Sequence, residues 1–274
     1  MQSIIDHNGV ERFLGNNVPE YDDLKYSYVE LDESELIPES QWGDLIALYP
    51  EGLDDPYLPP VHDQDGIGQC NADASVALIE YCRAKAGLPY VQLSAADLYH
   101  RINGGSDRGS LLEDALEELR LRGVGTAATC GTLWQGRGQK LATPEERKQF
   151  MVLEWTVAKS YAALMTLVFR GFSVNSGVMW YPNFTPDGDG WLPSRGSGSP
   201  GGHAVFGYKP VMRPGRGSGG MQYGIAHQNS WKETWGLKGR CVFPQEIYGG
   251  PVGGWFAARL VTTESQDTPA PSGV

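Results

Sequence analysis

The spacing of apolar residues changes near position 170, and that change predicts two unlike halves. In CNADASVALIEYCRAKAG, Ala72, Val76, Ile79 and Arg83 share one helical stripe, and Ala74, Leu78 and Cys82 lie on the next. With Gly87 as a stop, this predicts a largely buried helix that begins at or beside Cys70. Ser94 with Asp97, and Ser110 with Glu113, have capping-box spacing. The second pair opens an amphipathic segment through Leu112, Leu116 and Leu119 that ends at Gly123. Thr143, Pro144 and Glu146 signal a third start, and 144–170 is expected to form two helices or one kinked helix. Beyond Gly171 the period becomes two. FSVNSGVMW, HAVFGYK, QYGIAHQ, CVF and WFAARLV read as strands. Between them lie a long loop, PNFTPDGDGWLPSRGSGSPGG, and the glycine-rich connection PVMRPGRGSGGM. Helices first and strands second predict an α+β protein with two unlike lobes.

The ends differ from this middle. Residues 1–36 are weakly periodic and predict an extended N-terminal arm, while 263–274 predict a disordered tail. That leaves 37–262 as the folded domain. Net charge sharpens the division: of the −11 total, residues 1–65 hold 16 acids against Arg12 and Lys25, whereas the remainder is slightly basic. An acidic arm docked on a mildly basic body is the expectation, with Phe13, Leu14, Tyr21, Tyr26 and Tyr28 as anchors. The same arm offers a route to a larger assembly. No basic footprint suggests a nucleic-acid partner. The longest apolar run, Tyr161 to Phe169, is too short to span a bilayer, so no membrane partner is expected. MQSIIDHNGVERFLG lacks the basic and apolar regions of a secretory signal. Four dispersed cysteines, 70, 82, 130 and 241, then favour free thiols in an intracellular setting, a virion included.

Three segments carry candidate chemistry. Cys70 stands at a helix start, where unpaired N–H groups and the helix dipole favour a thiolate, and Gly66 and Gly68 permit a tight turn before it. His203 follows two glycines at the start of an apolar strand, and Asn229 ends another strand just before Trp231. A nucleophile, a base and an orienting amide from separate segments follow triad logic. Singly, each has a plainer reading: a buried structural cysteine, a satisfied core histidine, a turn asparagine. Asp187 and Asp189 in DGDG read as a polar turn rather than a calcium loop. His227 reads as a packing residue, Glu117 and Glu118 as a solvated helix face, and His7, His62 and His100 have no partner in the sequence pattern. No cofactor or metal is implied.

Together, HDQDGIGQC, GGHAVFGYK and NSWKETWGLKGRCVFP resemble the nucleophile, histidine and asparagine segments of papain-like cysteine peptidases. IPESQW resembles the family's mature start, and NGG at Asn103–Gly105 its substrate-binding glycines. The resemblance covers roughly 37–260. It implies a two-lobed papain-like fold, with a helical N-terminal lobe, a β-rich C-terminal lobe and a cleft between them. It further implies Cys70 as nucleophile, His203 as base, Asn229 as its orienter and Gln64 as oxyanion donor, with Trp231 shielding the His–Asn bond. Gly104, Gly105 and Trp231 would border the peptide substrate. A Cys70–His203 ion pair is part of the same expectation. The chain departs from the family in four places: Asn71 replaces the usual tryptophan, Ile67 replaces a disulfide cysteine, Gly202 precedes the histidine, and the hairpin after it is enlarged. The 36 residues before the mature-like start are too few for a long helical inhibitory propeptide. The function implied is peptide-bond hydrolysis through an acyl-enzyme. Alternatives are acyl transfer on the same cysteine, or a papain-fold structural or binding protein, such as a virion component, with little turnover.

Overall fold

The structure is a computed structural model that describes residues 2–17, 31–215, 220–249 and 255–259. Strands β1 (Gln2–Ile5) and β2 (Glu11–Leu14) form an antiparallel hairpin. Helix α1 (Trp42–Ile46) precedes α2 (Cys70–Lys85), α3 (Ala95–Ile102) and α4 (Leu112–Arg122), with short turns α5 (Ala127–Cys130) and α6 (Pro144–Arg147) after them. Then follow β3 (Glu154–Val157), α7 (Tyr161–Phe169), β4 (Ser173–Trp180), β5 (Gly201–Pro214), β6 (Met221–Gln228), β7 (Arg240–Pro244) and β8 (Trp255–Arg259). The last six strands make one antiparallel sheet in the order β3-β8-β4-β5-β6-β7.

Strand alternation divides the interior into two cores. On β5, Ala204, Phe206 and Tyr208 turn toward α2, α3 and α4, and pack with Val76, Leu78, Ile79, Leu98 and Leu116. Val205 turns the other way, to a core of Trp180, Trp231, Trp235, Phe243 and the α7 side chains. The helical lobe thus rests on one face of the sheet, and the tryptophan-rich β lobe forms on the other. Two unlike lobes are the fold the residue pattern predicts.

Several local expectations need correction. The 144–170 segment forms two helices, α6 and α7, as one of the two expectations had it, but strand β3 lies unforeseen between them, because EWTV alternates and its Trp155 and Val157 are buried where it pairs with β8. The Ser94 cap holds, accepting from the Asp97 N–H at 3.0 Å. Ser110 caps nothing: Leu111 is the N-cap of α4, and the Ser110 hydroxyl instead accepts from Asn71 at 3.1 Å. Glu117 and Glu118 are largely buried, binding Arg120, Trp155, Arg101 and Arg122 rather than facing solvent. The start of the arm is a hairpin rather than an extended segment. Asn8–Gly9, with Gly9 at φ +75°, is the turn signal that marks it. Tyr21, Tyr26, Tyr28 and the 263–274 tail lie outside the described residues.

Candidate active site

Cys70 is the first residue of α2 and is fully buried. The backbone N–H groups of Ala204, Gly15 and Asn71 lie near enough to favour its thiolate, so the histidine strand, the arm and the helix start converge around it. Burial pushes the thiol up to about 12; those N–H groups pull against it, and the Asp73 charge adds to the rise. The preceding turn is held from both sides. Gly68 N–H donates to Asp107 at 3.0 Å, and the Gln69 side chain donates to Thr132 O at 2.9 Å and accepts from Trp134 N–H at 3.0 Å.

On the facing strand, His203 Nε2 lies 2.8 Å from Asn229 Oδ1. Ser230 N–H donates to that same oxygen at 2.8 Å, which fixes the amide with its oxygen toward the ring. Nε2 therefore carries the proton, and Nδ1, buried and without a hydrogen-bond partner among the described residues, keeps its lone pair. Trp231 stacks on the imidazole at 4.5 Å, and Trp180 meets its edge at 5.2 Å. Burial lowers the pKa of His203 to about 4, with Asn229 pulling weakly upward. In this covered form both the thiol and the imidazole are neutral, in contrast to the ion pair implied by the family resemblance.

Gln64 is buried and fully engaged. Its Oε1 accepts from Ser230 Oγ at 2.7 Å and Trp231 Nε1 at 3.2 Å, leaving Nε2 to donate to Ile67 O at 2.8 Å and to the arm's Phe13 O at 3.0 Å. A side-chain amide locked in this sense is a preorganised donor to a carbonyl or oxyanion.

The arm runs along this constellation. After Phe13, Leu14 is buried in the β-lobe core, and Asn16 N–H donates to Gly202 O at 3.0 Å. Gly15 O accepts from Ser110 N–H at 2.8 Å, and Asn17 N–H donates to Ser110 O at 2.8 Å, so Asn16 pairs with Ser110 in the parallel sense. The fit depends on glycine: a Cβ at Gly15 would lie 1.9 Å from Gly68 O, and one at Gly109 would lie 2.1 Å from Gly15 O. Arg12 lies over the Trp231 ring at 5.5 Å.

The sequence-derived residues are placed as follows. Gln64, His203, Asn229 and Trp231 are joined through Ser230 and the Trp231 stack, whereas Cys70 starts α2 near the Ala204 backbone and makes no hydrogen bond to His203 Nδ1. Trp231 is buried against His203. Gly104 and Gly105 lie elsewhere, in an exposed turn at positive φ after α3, where a Cβ would meet nothing. The backbone edge that holds a peptide segment is Gly109–Ser110, which sequence reasoning missed. Asn71 supports that edge from inside, donating to Ser110 O at 2.7 Å. Tyr99 supports it too, accepting from Gly109 N–H at 3.0 Å while donating to Asp107 at 2.7 Å. His227 is a satisfied core residue between Ser176 Oγ and Ile225 O, both at 2.8 Å. His62, which had no visible partner in the sequence, sits between Asp73 at 3.3 Å and Glu80 at 3.1 Å. Asp187 closes its own turn, accepting from Asp189 and Trp191 N–H groups, and binds Arg213 at 2.7 Å. All four cysteines are free thiols, and no described helix is long and apolar enough to cross a membrane.

No protein-family model matches the chain. No curated protein matches it either. Solved structures do. Xylellain, a cysteine protease from Xylella fastidiosa, superposes with a TM-score of 0.65 over 96% of this chain and 99% of its own, at 18% identity. Procathepsin B S9 from Trypanosoma congolense gives 0.64 over 91% and 87%, at 14% identity. Bromelain from Ananas comosus gives 0.55 over 75% and 95%, at 18% identity. The fold is therefore that of the papain-like cysteine proteases.

Proposed function

We propose that the chain is a cysteine peptidase whose own residues 11–17 keep it covered. Cys70 attacks the peptide carbonyl, His203 takes the thiol proton at Nδ1 and returns it to the leaving amine, and water activated by the same nitrogen releases the acyl group. Asn229 holds the ring, and Gln64 with the Cys70 N–H receives the oxyanion. The observation that carries this reading is the arm itself. A stretch of peptide backbone accepts from Gln64 Nε2, pairs with Ser110 and passes close to Cys70, as a peptide substrate would. Departure of the arm admits water, removes the burial that keeps both partners neutral and lets the thiolate–imidazolium pair form. Domain limits of 37–262, a peptide or protein substrate and a reducing compartment for the four free thiols complete the proposal.

The test uses Gly15→Ala, whose Cβ has no room against Gly68 O. Full-length chain is expected to label slowly with an epoxide thiol inhibitor, and Gly15→Ala to label at Cys70 and cleave a mixed peptide library at least tenfold faster, an order-of-magnitude expectation for removing a bound competitor. Labelling of Cys70 no faster than that of Cys82 in the Gly15→Ala chain would overturn the catalytic reading. Fast labelling with no cleavage would favour the binding-protein alternative, and amide exchange without net cleavage would favour acyl transfer.

A further inference from the structure

Beside Asn229 lies a small cavity of about 10 Å³. Asp73, Gln228 and Asn229 line it, together with His62, Ala74, Ala77, Ala204, Val205 and Ser230. Each of the first three carries one buried atom with no hydrogen-bond partner among the described residues: Asp73 Oδ2, Gln228 Oε1 and Asn229 Nδ2. Their orientations are set by the other atom of each group. Asp73 Oδ1 is bound to His62 Nδ1, Gln228 Nε2 donates to Pro59 O at 3.1 Å and Pro60 O at 3.3 Å, and Asn229 Oδ1 is held by Ser230 N–H and His203. The three unpartnered atoms are therefore two acceptors and one donor, left over beside a space the size of one water.

We propose that one resident water occupies this cavity, donating to Asp73 Oδ2 and Gln228 Oε1 and accepting from Asn229 Nδ2–H, so that Asp73 and Gln228 are positioning residues for Asn229. The water completes three hydrogen bonds that would otherwise be missing in a buried region, where each unmade bond costs about 1–3 kcal/mol. It also holds the nitrogen end of the Asn229 amide, as Ser230 N–H holds the oxygen end. If the amide turned over, its NH₂ would face His203 Nε2, which would then have to accept, and the ring proton would move to Nδ1. The imidazole would lose the free lone pair on Nδ1. The water site itself does not depend on the catalytic reading; its consequence for turnover does.

Two measurements test the proposal. A crystal structure of the full chain at a resolution that orders water is expected to show one water within hydrogen-bond distance of all three atoms; a dry cavity would overturn it. Nitrogen chemical shifts of His203 are then compared in the full chain, Asp73→Asn and Gln228→Met. Asp73→Asn replaces a pure acceptor by a group that can also donate, and Gln228→Met removes an acceptor without touching His62. Both are expected to introduce the Nδ1–H tautomer. In the Gly15→Ala background both should lower kcat by about tenfold at nearly constant KM, short of the roughly 10²–10⁴ carried by the base itself. If Asp73→Asn fails to fold, Gln228→Met decides. Unchanged tautomer in Gln228→Met would sink the positioning role. Absence of turnover in the Gly15→Ala parent would count against the peptidase reading alone, because the tautomer readout does not need activity.

Discussion

His203 and His62 are both largely removed from solvent, yet they differ in charge. His203 has a neutral partner, Asn229, and burial takes its pKa down to about 4. His62 suffers the same burial, but Glu80 and Asp73 outweigh it and lift the pKa to about 10. The same side chain is thus a neutral base in one place and a fixed cation in the other, and the formal charge of the partner decides which. A carboxylate beside His203 would bind its proton too firmly for a base. A neutral side chain in place of His62 would leave two buried carboxylates, Asp73 and Glu80, without a counter-charge.

The largest expected effect separates the two by activity. In the Gly15→Ala background, His203→Ala should lower kcat/KM for peptide hydrolysis by on the order of 10⁴-fold, with little loss of stability in denaturant titration, since a desolvated ring is removed. His62→Ala should do the reverse. It strands Asp73 and Glu80 and is expected to cost about 3–5 kcal/mol of unfolding free energy. If both variants lost activity and stability together, the division of roles would fail.

A smaller change sharpens the contrast. Asn229→Asp gives His203 the kind of partner His62 has, so its pKa should climb from about 4 to above 6.5 in an NMR titration. A pKa that stays near 4 would mean that burial, not partner charge, governs the site.

The smallest effect is the pH dependence of stability. His203 and His227 are held neutral, at about 4 and about 3, so the unfolded chain binds more protons below its own value of 6.5. Their stabilisation is present above pH 6.5 and is lost as pH falls through 4, by about 3 kcal/mol for His203. His62 has the opposite sign: its contribution is complete below 6.5 and is lost as pH rises toward 10. From these groups, stability measured by denaturant titration should be greatest near pH 6.5, and His62→Ala should flatten only the alkaline side.

Sequence alone determined the large divisions of this protein. The change of apolar period from helical to alternating predicted two lobes, because each period fixes which side chains share a face. Local chemistry also placed Cys70 at a helix start and the Ser94 cap on its helix, since both depend on neighbours a few residues away. Strand β3 escaped detection because four residues carry too little pattern to compete with flanking helix signals, and its partner, β8, lies about a hundred residues further on. Only the tertiary structure showed that the arm's own backbone pairs with Ser110, beside Gly109. It alone showed that Asn71 braces that edge where the family usually has tryptophan, and that the arm's Gly15 comes close to Cys70. It likewise decided the charges of His203 and His62. Those outcomes depend on burial and on partners distant in sequence, as with Asn229 or Glu80, and neither residue spacing nor composition carries that information.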